Sequence, residues 1–273
     1  MSTIQLVTRG DDAGVSPSAN RAILQAIDQG ILRNVSLMVP GPAFEDASQV
    51  FAGREDICFG LHVTLNSEWE FPKWGPVSPP NTVSSLIEPD GFFTTDPAIL
   101  LKRGFSKEQA LAEVDAQLWR ARELGFRVSY LDEHMGVSWI GLREDLSALA
   151  RREGLVDANP VAAIPGNAQV EGDLADQWIE LLRQAPGGTY LLCTHPMFDD
   201  EEARNFRALN KPRGIIARDR DRERHALMDP RLLDFAENHG IRFARYDEVL
   251  PVMSVAHTER QESQVRFHGS LHP

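Results

Sequence analysis

The chain has 273 residues, 42% of them apolar, and 40 acidic against 28 basic residues give a formal net charge of −12. This negative balance argues against a nucleic-acid partner, whose phosphates need a basic face, and against docking on an anionic membrane. Two cysteines are too few for a disulfide framework or a four-cysteine zinc site. The first residues lack a signal-peptide pattern, and no apolar run approaches the ~18 residues of a membrane span, so we predict a cytoplasmic protein.

Short apolar runs alternate with helical patterns along the chain. Ser16 fits a helix N-cap with Pro17 at the first helical position, and Ser106 begins a capping box. Alternation of this kind predicts an α/β protein with a parallel sheet wrapped by helices. The length favours a deformed, TIM-barrel-like barrel of about seven strands. The predicted strands cover residues 5–8, 35–39, 57–65, 128–131, 161–164, 190–193 and 241–244.

The simplest domain organisation is one barrel domain over residues 1–250. A long insertion at about 66–105 interrupts the strand–helix alternation and is rich in Pro, Gly and aromatic residues. Loops of this length inside a compact domain are usually functional. Residues 251–273 are polar and aperiodic, which predicts a loose C-terminal tail.

Titratable residues stand where four of the predicted strands end. Each could by itself be a capped strand end or a hydrogen-bonded core histidine. The ends of parallel strands face the same side of a barrel, however, so a shared pattern there indicates a site. The groups are Asp11-Asp12, His62, Asp132-Glu133-His134 and His195.

Asp12, His62 and His134 would together make a divalent-metal set of two histidines and one carboxylate. Such a set leaves coordination positions open for water and substrate. Zinc or magnesium would suit it first, with manganese and nickel as alternatives. Adjacent residues at a strand end point in different directions, so Asp11 could face a substrate while Asp12 binds the metal. The alternative is that both are solvent-exposed turn formers.

Several segments of the chain resemble, in the same order, those of the YdjC-like carbohydrate deacetylases, which are relatives of the NodB-type polysaccharide deacetylases. The likeness covers roughly residues 7–250. The segments are RGDDAG at 9–14, SLMVPGPAF at 36–44, GLHVTL at 60–65, SEW at 67–69 with WGP at 74–76, LDEHMG at 131–136 and THPM at 194–197.

The resemblance implies a deformed barrel and a metal-dependent hydrolase that deacetylates an N-acetylated sugar or oligosaccharide. Asp12, His62 and His134 match the family's metal ligands, and Asp11 matches its catalytic base. His195 matches a late histidine that lines the site. A homodimer is plausible for this family. Gly136 stands where many members carry a further histidine, so the exact sugar stays open.

Further roles follow as hypotheses. His195 is placed to protonate the leaving amine, and Asp132 could orient a histidine ligand. Arg9 could contact an anionic group of the substrate, but pairing with Asp11 or Asp12 is the simpler alternative. Two tryptophans of the insertion could stack on a sugar ring, or they could pin the loop to the barrel, and neither alternative is preferred. These are Trp69 and Trp74.

Two other functions compete with deacetylation. A metal-dependent hydrolase for another bond, such as a phosphoester, would need a second metal or a basic phosphate clamp, and among the strand ends only Arg9 is basic. A carbohydrate-binding protein without turnover would have no need for a base, so the pair Asp11 and Asp12 argues against it.

Overall fold

The computed structural model describes residues 3–166 and 172–252, so all but the first two residues of the predicted tail lie outside it. Within these stretches, seven strands form one sheet in the order β5-β4-β3-β2-β1-β6, with β7 also paired to β1, and every strand pair is parallel. The strands are β1 (Ile4–Ala13), β2 (Asn34–Leu37), β3 (Cys58–Val63), β4 (Val128–Glu133), β5 (Val156–Asp157), β6 (Gly188–Thr194) and β7 (Arg242–Ala244).

The sheet curls into a partly closed barrel. Ala163 forms an isolated parallel bridge with Leu191 of β6, only six residues after β5 ends at the opposite edge of the sheet. The two edges must therefore lie close together. The predicted deformed barrel is confirmed, but the fifth strand is wrong in place: it lies at Val156–Asp157, and the predicted segment 161–164 contributes only the bridge. The single-domain organisation stays a prediction.

Helices cover the outside of the barrel. Ser16 Oγ accepts a hydrogen bond of 3.0 Å from the Ala19 amide at the start of the first helix, and Ser106 Oγ caps the fourth in the same way. No helix in the described residues is long and apolar enough to cross a bilayer. The helices are α1 (Pro17–Asp28), α2 (Phe44–Val50), α3 (Pro97–Arg103), α4 (Lys107–Glu123), α5 (Arg143–Glu153), α6 (Leu174–Gln184), α7 (Ile215–Leu227), α8 (Pro230–Asn238) and α9 (Tyr246–Val249), with 3₁₀ segments at Pro80–Thr82, His134–Ile140 and Ala203–Asn205.

Two apolar clusters support this arrangement. The larger packs the helices against the sheet, and a smaller one includes residues of β1, β3, β4, β5 and β7. Tyr130 and Tyr246 lie in the smaller cluster with ring centroids 4.5 Å apart. Gly60 makes room for them, because a Cβ at this position would lie 2.1 Å from Tyr130 Cε2. Aromatic rings therefore pack beneath the polar ends of the strands.

The insertion at 66–105 is tied to the barrel through α4. The buried carboxylate of Glu113 accepts hydrogen bonds of 2.9 Å from the amides of Val77 and Ser78. The Gln117 side chain donates to the carbonyl of Thr64, just after β3. These contacts satisfy backbone groups of a loop that has little regular structure of its own. The insertion is thereby held beside the carboxyl end of β3.

Candidate metal and catalytic site

The carboxyl end of β1 brings two adjacent carboxylates into one buried cluster. The pairing of β1 with β2 is irregular between Gly10 and Ala13, and Asp12 has a left-handed backbone with φ of 64°. Such an irregularity re-aims side chains that a regular strand would point to opposite faces. Asp11 and Asp12 are both buried, and both have oxygens within 4.8 Å of a His62 ring nitrogen.

Three buried side chains present ligand atoms at metal-site spacing. Asp12 Oδ1 lies 3.6 Å from His62 Nε2 and 3.4 Å from His134 Nδ1, and the two ring nitrogens are 3.3 Å apart. Ligands bound at ~2.1 Å around a tetrahedral ion would be about 3.4 Å apart. The structure therefore brings the three predicted ligand residues together in a geometry that could hold a metal ion.

Asp12 Oδ1 gives independent support for this fit. The atom is buried, and it has no hydrogen-bond partner among the described residues. A buried, unpaired carboxylate oxygen is unfavourable unless a cation or donor satisfies it. A divalent ion between the three ligand atoms would do so.

Each histidine is oriented by a carboxylate on its other ring nitrogen. His62 Nδ1 lies 2.9 Å from Asp132 Oδ2, and His134 Nε2 lies 2.8 Å from Glu68 Oε2. Carboxylates in these positions fix the ring and leave the remaining nitrogen as the ligand. Burial lowers the pKa of His134, but the charges of Glu68 and Asp12 raise it to about 10. The cluster therefore attracts positive charge strongly.

Arg9 lies beneath the cluster and makes ion pairs within it. Its Nε and Nη2 donate to Asp11 at 2.6 and 2.8 Å, and its Nη1 lies 3.0 Å from Asp132 and 3.1 Å from the Tyr246 hydroxyl. Burial raises the pKa of Asp11, but Arg9 together with His62 and His195 outweighs it and holds that pKa well below its usual range. The structure favours the pairing alternative for Arg9 over contact with a substrate.

Arg220, on α7, completes the surroundings of Asp12. Its Nη1 lies 2.7 Å from Asp12 Oδ2, and its guanidinium stands 4.8 Å from the centre of the Trp69 ring. Burial raises the pKa of Asp12, but the charge of Arg220 and the neighbouring histidines lower it well below its usual value. Asp12 is thus ionised, with one oxygen paired and the other facing the histidines.

His195 directly follows β6 and is partly exposed. Its backbone amide donates to Glu223 on α7, and its Nδ1 lies 3.7 Å from the same carboxylate. Burial and the charge of Arg220 lower the pKa of His195, but Glu223 together with Asp12 and Asp11 outweighs them, and the pKa is raised. Cys193 lies next to it, with Sγ 3.1 Å from Asp11 Oδ2.

Trp69 and Trp74 are buried and are not exposed beside the site. They are 4% and 2% exposed, and their rings pack edge to face at 5.5 Å. Trp74 Nε1 donates to the carbonyl of Asn66, and Trp69 packs on Phe206 at 4.7 Å. Because little of either ring is accessible, the structure favours the loop-pinning alternative and does not favour stacking on a sugar.

Three site residues were not identified from the sequence: Glu68, Arg220 and Glu223. Glu68 lies in the insertion, and the other two lie on α7, away from the strand ends that guided the prediction. The SEW segment that contains Glu68 is the only signal that could have pointed to it. Nothing in the charged run of α7 distinguishes Arg220 and Glu223 from their neighbours.

A curled parallel barrel with a buried Asp–His–His cluster at the carboxyl ends of its strands defines an α/β-barrel protein with a candidate metal centre. The sequence model of the YdjC-like protein family matches residues 5–238, and the chain belongs to this family.

Curated relatives match over most of their length. A protein of Thermoanaerobacter pseudethanolicus is 24% identical over 267 residues, covering 88% of this chain and 97% of the relative. A protein of Halalkalibacterium halodurans is 26% identical over 217 residues, covering 74% of this chain and 88% of the relative. Both relatives carry the name carbohydrate deacetylase.

A solved structure supports the fold. A crystal structure from Enterococcus faecalis V583, of a protein proposed to cleave cellobiose phosphate, superposes with a TM-score of 0.75. It covers 91% of this chain and 100% of its own, at 21% identity. At this identity the likeness establishes the barrel and leaves the reaction to be argued from the site.

Proposed function

We propose that this protein is a metal-dependent hydrolase that removes the acetyl group from an N-acetylated sugar or oligosaccharide. One observation carries the proposal: ligand atoms of Asp12, His62 and His134 lie at metal-ligand spacing, with Asp11 beside them. The Asp12 atom, Oδ1, is buried and has no hydrogen-bond partner among the described residues. The family and the names of the curated relatives support the same reaction.

Asp12, His62 and His134 would hold one divalent ion. The two ring nitrogens suit zinc or nickel better than magnesium or manganese, which prefer oxygen ligands. When bound, such an ion polarises an acyl carbonyl and lowers the pKa of a water ligand. Asp132 and Glu68 would keep both imidazole rings in the ligating orientation.

Asp11 would accept the proton from the attacking water. The Arg9 guanidinium keeps the Asp11 carboxylate ionised, the form that can accept a proton, although the same contact lowers its pKa and so weakens it as a base. Because Arg9 donates a hydrogen bond to each Asp11 oxygen, it also limits the directions from which a proton can reach the carboxylate.

His195 would donate a proton to the leaving amine. Glu223 raises the pKa of His195 and so favours the imidazolium form that a general acid requires. The ring is partly exposed, so the amine of a bound substrate could reach it. The products would be acetate and a free amino sugar.

The phosphoester alternative has less support in this geometry. Among the described residues, the arginines in contact with the cluster are Arg9 and Arg220, and both are paired with its carboxylates. A phosphate clamp would need guanidinium groups that are free to face the substrate.

Acetate release from N-acetylated sugars tests the proposal, with metal content measured on the same samples. We expect activity from the metal-loaded protein, and a loss of ~10²- to 10⁴-fold in Asp11→Asn with metal content unchanged. Full activity in Asp11→Asn would contradict the role of Asp11. Metal-loaded protein that releases no acetate from any N-acetylated sugar would contradict the function itself.

A further inference from the structure

A second group of side chains that could ligate a metal adjoins the first. Asp11, Cys193 and His195 each place one ligand atom within 4.8 Å of the other two, and the group shares no residue with Asp12, His62 and His134. Cys193 is exposed as a residue, but its Sγ lies against Asp11 Oδ2 at 3.1 Å and Arg9 Nη2 at 3.4 Å; the other cysteine, Cys58, is buried.

Strand geometry accounts for the cluster. Cys193 and His195 are two positions apart at the end of β6, so their side chains point to the same face. β6 pairs in register with β1, with Arg9 opposite Cys193, and this pairing brings the thiol to within 3.1 Å of Asp11 Oδ2. The cluster thus follows from the backbone pairing rather than from flexible side chains on the surface.

The net negative charge of the site favours the binding of a second cation. Its carboxylates outnumber its guanidinium groups by five to two, so one divalent ion still leaves it negative when the imidazoles are neutral, as metal ligation requires. Closely spaced carboxylates repel one another unless positive charge lies between them. The carboxylates are Asp11, Asp12, Glu68, Asp132 and Glu223, and the guanidinium groups are those of Arg9 and Arg220.

We propose that Asp11, Cys193 and His195 form a second, inhibitory site for a thiophilic divalent cation such as Zn²⁺ or Cd²⁺. Sulfur and imidazole ligands select such ions over Mg²⁺ and Ca²⁺. A cation bound there would occupy Asp11 and His195, the two residues assigned to proton transfer. The proposal that the cation binds does not depend on the reaction, whereas the proposal that it inhibits rests on the proposed function.

Binding at this site must release a proton. Burial and the nearby Asp11 carboxylate raise the pKa of the Cys193 thiol well above its usual value, so the sulfur carries hydrogen at neutral pH. The cation forms a bond to sulfur as the S–H bond breaks, and the proton leaves to solvent. Ions with little affinity for sulfur will not drive this exchange.

Cadmium titration tests the binding directly, because a cadmium–thiolate bond gives an ultraviolet charge-transfer band. We expect the wild-type chain to bind two equivalents of Cd²⁺ and to show the band. Cys193→Ser should bind one equivalent without the band, and Cys58→Ala should behave like wild type. Asp12→Asn should keep the band, since the two sites share no ligand. The absence of a band in wild type, or its persistence in Cys193→Ser, would overturn the proposal.

Acetate release at rising Zn²⁺ tests the inhibition. We expect excess zinc to inhibit the wild type, and Cys193→Ser to need at least roughly ten- to a hundredfold more zinc for the same inhibition. This range is the loss of metal affinity that follows even when only a hydrogen-bond partner of a metal ligand is removed. A cadmium band without zinc inhibition would overturn the inhibitory role. A chain that releases no acetate would count against the proposed function alone, and the band would still decide the binding.

Discussion

Arg220 donates a hydrogen bond of 2.7 Å to Oδ2 of Asp12, across 208 positions of sequence. Because this bond occupies one oxygen, the other oxygen of Asp12 is the one that faces His62 and His134. Trp69 lies against the guanidinium and holds it in place. Arg220 of α7 thereby determines which oxygen of Asp12 faces the two histidines.

Replacing Arg220 with Met should weaken metal binding by about ten- to a hundredfold, since it removes the partner that orients a ligand. Competition with a chelator of known affinity measures the effect. Arg222→Met, at an exposed position of the same helix, is the matched control. Equal affinities in the two variants would show that Arg220 does not position Asp12.

Glu68→Gln should lower metal affinity and also change a titration. The carboxylate raises the pKa of His134, so its removal should lower that pKa in the metal-free protein. NMR titration of the histidine rings measures the shift, and chelator competition measures a loss in affinity of about tenfold or more. Glu70→Gln, an exposed neighbour, serves as control. A His134 pKa that stays at about 10 in Glu68→Gln would contradict the contact.

Glu223→Gln should move the basic limb of the activity profile to lower pH. His195 must be protonated to act as the acid, so activity falls as pH rises through its pKa, and Glu223 raises that pKa. Removing the carboxylate lowers the pKa and brings the fall in activity to a lower pH. The pH dependence of kcat measures it, with Asp219→Asn on the exposed side of α7 as control. An unmoved limb would exclude His195 as the titrating acid.

Gly60→Ala should destabilise the fold, because its Cβ would meet the Tyr130 ring at 2.1 Å. Overpacking of this kind costs about 1–3 kcal/mol. Urea unfolding measures the loss, and the same substitution in a Tyr130→Ala background should be better tolerated. If the penalty is equal in both backgrounds, the ring is not the cause.

Patterns in the sequence identify the alternation of strands and helices because their periodicities are local, while the chain length and the family resemblance favour a barrel over an open sheet. They also locate Asp11, Asp12, His62, His134 and His195, since the ends of parallel strands must share one side of the sheet. The prediction fails at the fifth strand, where only Val156 and Asp157 pair with β4. The four consecutive apolar residues at 161–164 predict a strand more strongly than these two residues do.

Tertiary packing decides which side chains surround these residues. Glu68 reaches His134 only because α4 anchors the insertion beside β3, and Arg220 reaches Asp12 only because α7 packs across the strand ends. Whether Trp69 is displayed or buried depends on the same packing. The sequence alone determined the alternation of strands and helices and the residues at the strand ends, because both follow from local periodicity. The partners that set their charge, orientation and access come from distant segments, and only the folded chain brings these together.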